Sequence, residues 1–446
     1  MNKTLLPKIF SRSATAAAAA GSDIRPPASV RVVSWLLYDF GNAWFSMVVL
    51  TAYYILYFKE VIVGEKGYAD FLWGVAVSTA MAVSVFLAPL LGAAADARAN
   101  KKNYLATFAG ISILCTLCLY FTGPGQKALA VFLVSAGYVG YTVAMTFYNA
   151  FLPEIAAPGS IEKLSGIGWG LGYIGGLAAL ICMNFMVPSI AKGKSILLLA
   201  GAFYGFFALP SFVILKDSPK DRPSRGPALS EGLSRLVLTF REIRSLKRIF
   251  IFLIAYFFIS DAISTVIVFF SSYTVFTLHF TIRQNIFLLM LIQLSAAAGA
   301  AACGVLANRM GIIRTIIITV LIWILALLAI IAFQSISAFY TISVCAGLVL
   351  GGTQATARSY MAIESPEGKK AEFFGFMTFS TKIAAIFGPL LYGTISGLTN
   401  DPRMAVLSLE AFFIVGLLFM LMVPRVDYRR AKESAAGGPE KRSTLN

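Results

Sequence analysis

Ionisable side chains are rare inside the long apolar stretches of this 446-residue chain, and the few that occur there are where chemistry is to be sought. Asp39, Asp261, Lys382 and Glu410 each interrupt an apolar run. A charge at the centre of a bilayer-spanning helix costs about 2.5–3.5 kcal/mol on insertion scales, so a residue kept there is a functional candidate. A carboxylate in such a place can carry a proton or receive the cationic end of a solute, and a lysine can receive a carboxylate. Asp39 and Asp261 fall in the first and seventh apolar runs and are expected to face a shared central cavity. Asp39 stands near the start of its run and has a second reading, capping nearby backbone. Lys382 lies about ten residues into the eleventh run, a long reach for snorkelling, and requires an acidic partner: Asp39, Asp261 or a solute carboxylate. Arg358, near a run's end, reads as a boundary cation or a partner of Glu154. Glu410 reads as an interface or lipid-side residue.

Asn42, Tyr148, Asn149 and Gln354 offer hydrogen bonds to a polar solute, or equally to neighbouring helices, and Asn149 sits close to a loop. Gly168, Gly172 and Gly176 recur at helical spacing and suit close helix packing. No lysine or hydroxyl residue follows in the register of a phosphate cradle. Cys115 and Cys118 form a CxxC, but one histidine, His279, and no second thiol pair accompany them, so neither a metal nor another cofactor is expected. No nucleophile–base pair stands out, which argues against an enzyme.

The elements that must position these residues are apolar. Hydrophobic residues make up 58% of the chain and charged ones 13%, and the mean hydropathy is +0.78. Runs of roughly 20 apolar residues, each enough to cross a bilayer core, recur along the sequence. They predict spans at 32–58, 71–95, 104–122, 129–151, 169–190 and 195–215, then 249–277, 285–306, 315–334, 338–360, 373–397 and 403–423. The net charge of +16 follows topology rather than nucleic-acid binding: 29 lysines and arginines fall on one side of the spans and 7 on the other. The basic side, which carries both termini, is expected to be cytoplasmic.

The halves repeat. Gly92-Ala-Ala-Ala-Asp96 matches Gly304-Val-Leu-Ala-Asn308 at an offset of 212, and Glu154 matches Glu364 at 210. Two parallel six-span halves are the economical explanation. Asp96, with Lys101 and Lys102, is expected to latch the spans on the basic side. Gly92, Glu154 and Arg358 complete the expected gating set.

The segment Gly92 through Lys101 resembles the signature loop of the major facilitator superfamily, with Ala97 and Ala99 departing from it. Trp35-Leu-Leu-Tyr38-Asp39-Phe-Gly-Asn42, Tyr148-Asn149-Ala-Phe-Leu-Pro153-Glu154, Gly168-Trp169-Gly-Leu-Gly172-Tyr173-Ile-Gly175-Gly176, Gly351-Gly352-Thr353-Gln354-Ala-Thr-Ala-Arg358-Ser359 and Glu372-Phe373-Phe374-Gly375-Phe376 resemble its vacuole-effluxer branch. The resemblance runs from about Arg31 to Pro424 and implies a twelve-helix fold and secondary transport, fungal relatives being associated with amino-acid efflux.

The expected organisation is a cytoplasmic tail at 1–31, a six-helix half at 32–215, a linker at 216–248, a second half at 249–423 and a basic tail at 424–446. The first tail also has the Ser, Ala and basic content of an organellar transit peptide. The expected function is alternating-access transport of a small polar or zwitterionic solute, amino-acid-like, with proton coupling. Asp39, Asn42, Asp261, Gln354, Lys382 and Tyr148 are the candidates for solute or proton. An exporter of amphipathic metabolites or drugs, or a non-transporting sensor of the same fold, is the alternative. The chain is expected to act as a monomer in a bacterial inner membrane, with no nucleic-acid partner.

Overall fold

The computed structural model describes residues 28–98, 100–156, 161–217, 241–333, 335–366 and 370–424. Most of the two tails and of the linker expected at 216–248 lies outside them. Among the described residues there are twelve helices long and apolar enough to cross a membrane. They are α1 (Ala28–Val63), α2 (Lys66–Arg98), α3 (Lys101–Leu119), α4 (Lys127–Ile155), α5 (Ile161–Met186), α6 (Ser195–Ile214), α7 (Lys247–Phe276), α8 (Ile282–Met310), α9 (Ile312–Ala332), α10 (Ile336–Glu364), α11 (Lys370–Thr399) and α12 (Pro402–Met422). Several run past the apolar cores read from sequence because helix continues into the interfacial layer, where hydropathy falls but backbone hydrogen bonding still favours helix.

Local chemistry fixes the ends. Thr281 and Gln284 form a reciprocal capping box at the start of α8, and Asp401 caps α12 ahead of Pro402. Gly311, at φ 94°, is the single residue between α8 and α9 and turns the chain where a side chain would strain. One departure from regular helix stands out. In α1 the α-helix gives way to π-helical turns at Phe45–Ala52 and again at Phe58–Val63. Wide turns of this kind are rare and gather at functional sites.

The packing repeats. In the first half α1 lies against α5 and α6, α4 against α2 and α3, and α3 against α6; in the second half α7 lies against α11 and α12, α10 against α8 and α9, and α9 against α12. The halves meet chiefly through α2 with α11 and α5 with α8, which are equivalent pairs under the same repeat.

These interfaces are tight at one end only. Toward the face opposite the termini, the far face, α2 and α11 interlock through small residues. A Cβ on Gly74 would run into the Pro389 carbonyl, and one on Gly393 would come to 2.6 Å from the Asp70 carbonyl. Ser78 donates to the Ile386 carbonyl at 2.7 Å in the same stretch. Toward the near face, where α1 begins and α12 ends, a Cβ on Gly92 of α2 or on Gly375 of α11 would meet nothing within 4 Å, and Phe86 is 77% exposed. Along α5, Gly176 touches the Gln293 side chain of α8 whereas Gly166 and Gly170 face open space. The halves are closed at the far face and splay apart toward the near one.

Candidate functional site

The cleft between the splayed halves is lined from both. On the first half, the Asp39 carboxylate of α1 lies over α5 where that helix has no side chain: a Cβ on Gly172 would sit 3.4 Å from Asp39 Oδ2, and one on Gly168 2.9 Å from the Trp35 ring. The glycine spacing read as packing therefore makes room for a carboxylate as well. Asn42, one turn on, donates to Asp39 Oδ1 at 3.3 Å and lies 2.9 Å from the Met145 sulfur of α4. Asp39 is half-buried.

The second half contributes cations. Lys382 of α11 extends across the cleft and donates to Thr146 Oγ1 of α4 at 3.1 Å. Thr146 follows Met145, so Asn42 and Lys382 converge on one turn of α4, with Asp39 joined to it through Asn42. Arg358 of α10 stacks on the Trp169 ring of α5, its guanidinium carbon 4.0 Å from the centroid, a cation–π contact that also crosses the cleft. Gln354 lies one helical turn from Arg358 on the same face and is half-buried. Neither Lys382 nor Arg358 forms an ion pair with a described carboxylate. Arg358 is thus not the partner of Glu154, contrary to one expectation, because the cleft brings it to α5 first.

Two expected site residues turn away from the cleft in this conformation. Tyr148 is 1% exposed and sandwiched in an aromatic stack, with ring centroids 4.4 Å from Trp35 and 4.9 Å from Tyr38. Its backbone carbonyl, not its hydroxyl, makes the polar contact, accepting from Trp35 Nε1 at 2.9 Å. Asp261 is fully buried against α11, where Oδ1 accepts the Gly388 backbone N–H at 3.0 Å and Oδ2 has no hydrogen-bond partner. The shared cavity expected for Asp39 and Asp261 is therefore lined by Asp39 alone in this state. Asn149 is exposed at the near end of α4. Glu410 is 6% exposed, and both its oxygens are unpartnered inside the second half, which removes the lipid-side reading.

Of the expected gating residues, Lys101, Lys102 and Glu154 form a staple within the first half, while Arg358 lies on Trp169 and Gly92 faces open space. Lys101 pairs with Glu154 at 2.6 Å, joining the near ends of α3 and α4, and Arg31 of α1 donates to the Glu154 carbonyl at 3.3 Å. The backbone N–H groups of Lys101 and Lys102 donate to Asp217, at 2.8 and 3.3 Å, tying the chain after α6 to the start of α3. Burial pushes the Asp217 carboxyl above its ordinary range, against the pull of those two donors. The Asp96 side chain lies outside the described residues.

Sequence reading missed the far-face seam. Lys59, counted there as a loop cation, is 2% exposed and pairs with Asp70 at 2.6 Å, with Ser272 and Ser396 of the other half completing the cluster. Both charges stand at span ends, where hydropathy assigns them to loops. It also missed Thr146, Trp169 and Asp217, although Trp169 stands inside a motif quoted for other residues.

Comparison with known proteins places this geometry in a family. Residues 71–436 match the family described as "Vacuole effluxer Atg22 like". The uncharacterized MFS-type transporter YxiO of Bacillus subtilis is 28% identical over 407 residues, covering 88% of this chain and 94% of that protein. Autophagy-related protein 22 of Saccharomyces cerevisiae is 29% identical over 224 residues, 46% of this chain and 41% of that one. Among solved structures, the nucleoside transporter NupG superposes with a TM-score of 0.67 at 14% identity, over 89% of this chain and 99% of that one. A D-xylose–proton symporter gives 0.67 at 12%, over 89% and 96%. An inward-facing bacterial homologue of the human lysosomal transporter Spinster gives 0.66 at 15%, over 90% and 98%. With twelve spans among the described residues, repeated halves and a cleft open to one face, the chain belongs to the vacuole-effluxer Atg22-like family, integral membrane transporters of the major facilitator type and not enzymes.

Proposed function

We propose that this transporter carries a small zwitterionic solute, amino-acid-like, by alternating access coupled to protons, as a monomer in a bacterial inner membrane. The observation that supports this most is the charge layout of the cleft: a carboxylate, Asp39, on one half and two cations without an ionised partner, Lys382 and Arg358, on the other. A solute with an ammonium and a carboxylate complements both halves, and bridging them gives it a reason to draw them together. Gln354 and Asn42 supply hydrogen bonds on either side, and Trp169 supplies an apolar wall. The monomer reading is supported by a cleft lined from both halves of a single chain.

Proton coupling is assigned to Asp261. Its Oδ2 is buried without a partner, and its Oδ1 grips α11 at Gly388, just before Pro389 interrupts that helix's hydrogen bonding. A proton gained or lost there acts directly on the helix that also carries Lys382. The near face is taken as cytoplasmic on the 29 to 7 distribution of basic residues, which makes this the inward-open state.

The test is uptake of a labelled amino-acid mixture into proteoliposomes with and without an imposed pH gradient, comparing wild type with Asp261→Asn and Lys382→Gln. Gradient-driven uptake lost in both variants is the expected result. Uptake indifferent to the gradient in wild type removes the coupling, and failure to take up any amino acid removes the substrate class.

A further inference from the structure

The far-face seam keeps both members of its ion pair on one side. Lys59 and Asp70 belong to the first half, at the far ends of α1 and α2, and are 2% and 1% exposed. Lys59 Nζ donates to both oxygens of Asp70, at 2.6 and 2.7 Å, and to Ser272 Oγ at 2.9 Å. From the second half, Ser272 of α7 donates to Asp70 Oδ1 at 3.0 Å and Ser396 of α11 to Oδ2 at 2.7 Å. The contacts from the second half include these two hydroxyls and the Phe276 ring, whose centroid is 5.2 Å from Nζ.

We propose that Ser272 and Ser396 set how readily the far face opens, and that the Lys59–Asp70 pair travels intact with the first half when it does. The inference rests on the transport reading, since only a protein that alternates between faces needs a seam it can reopen. Withdrawing one member of a buried ion pair leaves an uncompensated charge and is strongly destabilising. Here the charges keep each other, and what is given up includes the two hydroxyl donors to the carboxylate, the bond from Lys59 to Ser272 and the contact with the Phe276 ring, none of which separates the two charges. Water can replace such donors with little enthalpic loss. Solvent is close at hand, because a cavity of about 300 Å³ at the far face has Lys59 and Ser396 in its wall, with Phe276, Asn400 and Arg403. The carboxylate makes both bonds charge-assisted, and hence stronger than bonds between neutral groups. Because the two serines come from different helices, α7 and α11, each contributes its own share and the seam is strongest while both are in register with Asp70.

The experiment reads far-face distance by spin labels on the full chain in lipid nanodiscs. Lys192→Cys and Ser337→Cys, exposed far-face positions of the first and second halves, carry the labels after the five native cysteines are replaced. Against that parent, the Ser272→Ala/Ser396→Ala variant is expected to raise the ratio of long to short distances roughly tenfold for each hydroxyl removed. Each single variant is expected to give part of the shift. In an Asp70→Asn background the same serine substitutions are expected to do much less, since the acceptor is no longer charged. Distances unchanged by the double serine variant overturn the proposal, and so does an equal shift with and without Asp70. The measurement needs no solute. Unchanged distances with intact uptake therefore sink the seam alone, while a shifted seam with no uptake of any solute sinks the transport reading and leaves the seam standing.

Discussion

Lys382 of α11 and Thr146 of α4 meet across the cleft at 3.1 Å, a cation of one half resting on a neutral hydroxyl of the other. The hydroxyl satisfies one donor of the ammonium and leaves its charge available. If a solute carboxylate takes over from Thr146, Lys382→Met should weaken apparent affinity by on the order of 30-fold or more, within the range of about 2–5 kcal/mol for losing one partner of a buried charged hydrogen bond. Thr146→Val should change affinity far less. The concentration dependence of uptake distinguishes them, and an equal effect of both substitutions would show that Lys382 works through its helix contact instead.

Asp261→Asn preserves an oxygen to accept the Gly388 N–H but removes the proton-carrying acid. Expression and thermal stability should stay close to wild type, uptake driven by a pH gradient should vanish, and exchange of labelled for unlabelled solute should persist. Running gradient-driven uptake and counterflow on one preparation checks this. Loss of both activities with normal folding would place Asp261 in binding rather than in coupling.

Gly388→Ala puts a methyl group into space held by Thr265 Oγ1 and Asp261 Oδ1, which its Cβ would meet well inside contact distance. Overpacking of this kind costs about 1–3 kcal/mol. The melting temperature in detergent should fall, and combining the change with Thr265→Ala should recover part of the loss. No recovery would mean that the backbone bond to Asp261, and not the crowding, is what the methyl disrupts.

The near-face staple separates stability from gating. Lys101–Glu154 is only 16% exposed at both partners and lies within one half, so Lys101→Ala, which takes a donor from a largely buried carboxylate, should lower stability by about 1–3 kcal/mol. Asp217→Ala, which strips α3 of its two N-terminal acceptor contacts, should cost about 1 kcal/mol in the manner of a lost helix cap. Solute affinity should be unchanged in each. A change in transport rate without loss of thermal stability would restore the latch role expected from sequence.

The fold was legible because a bilayer imposes one length and one polarity on every helix, and twelve apolar runs cannot be hidden. Lys382 and Asp39 were legible for the same reason, as charges where charge is costly. What escaped depends on direction rather than type. Tyr148 has the composition of a solute contact, but its ring is claimed by Trp35 and Tyr38 of the neighbouring helix. Asp261 was placed in a cavity by analogy with Asp39, and the repeat does not carry that far: α11 offers Asp261 the Gly388 backbone N–H, while α5 presents bare glycine surface to Asp39. Lys59 and Asp70 fall just outside the predicted spans 32–58 and 71–95, because hydropathy averages over residues and cannot tell a buried pair at a helix end from two solvated ones.

The π-helical stretches of α1 bear on what can be changed in this chain. An inserted residue rotates the helix beyond it by about 100° relative to a regular α-helix. Asp39 precedes the first stretch at Phe45–Ala52, and Lys59 falls in the second, Phe58–Val63. The angle between the cleft carboxylate and the far-face ammonium is thus set by residue count as well as by residue type. Deleting a single residue between Phe45 and Ala52 would tighten the helix, keep every apolar residue apolar, and swing Lys59 off Asp70. Substitutions in this buried segment act on packing alone; a change of length by one residue would uncouple the two ends of the transport path.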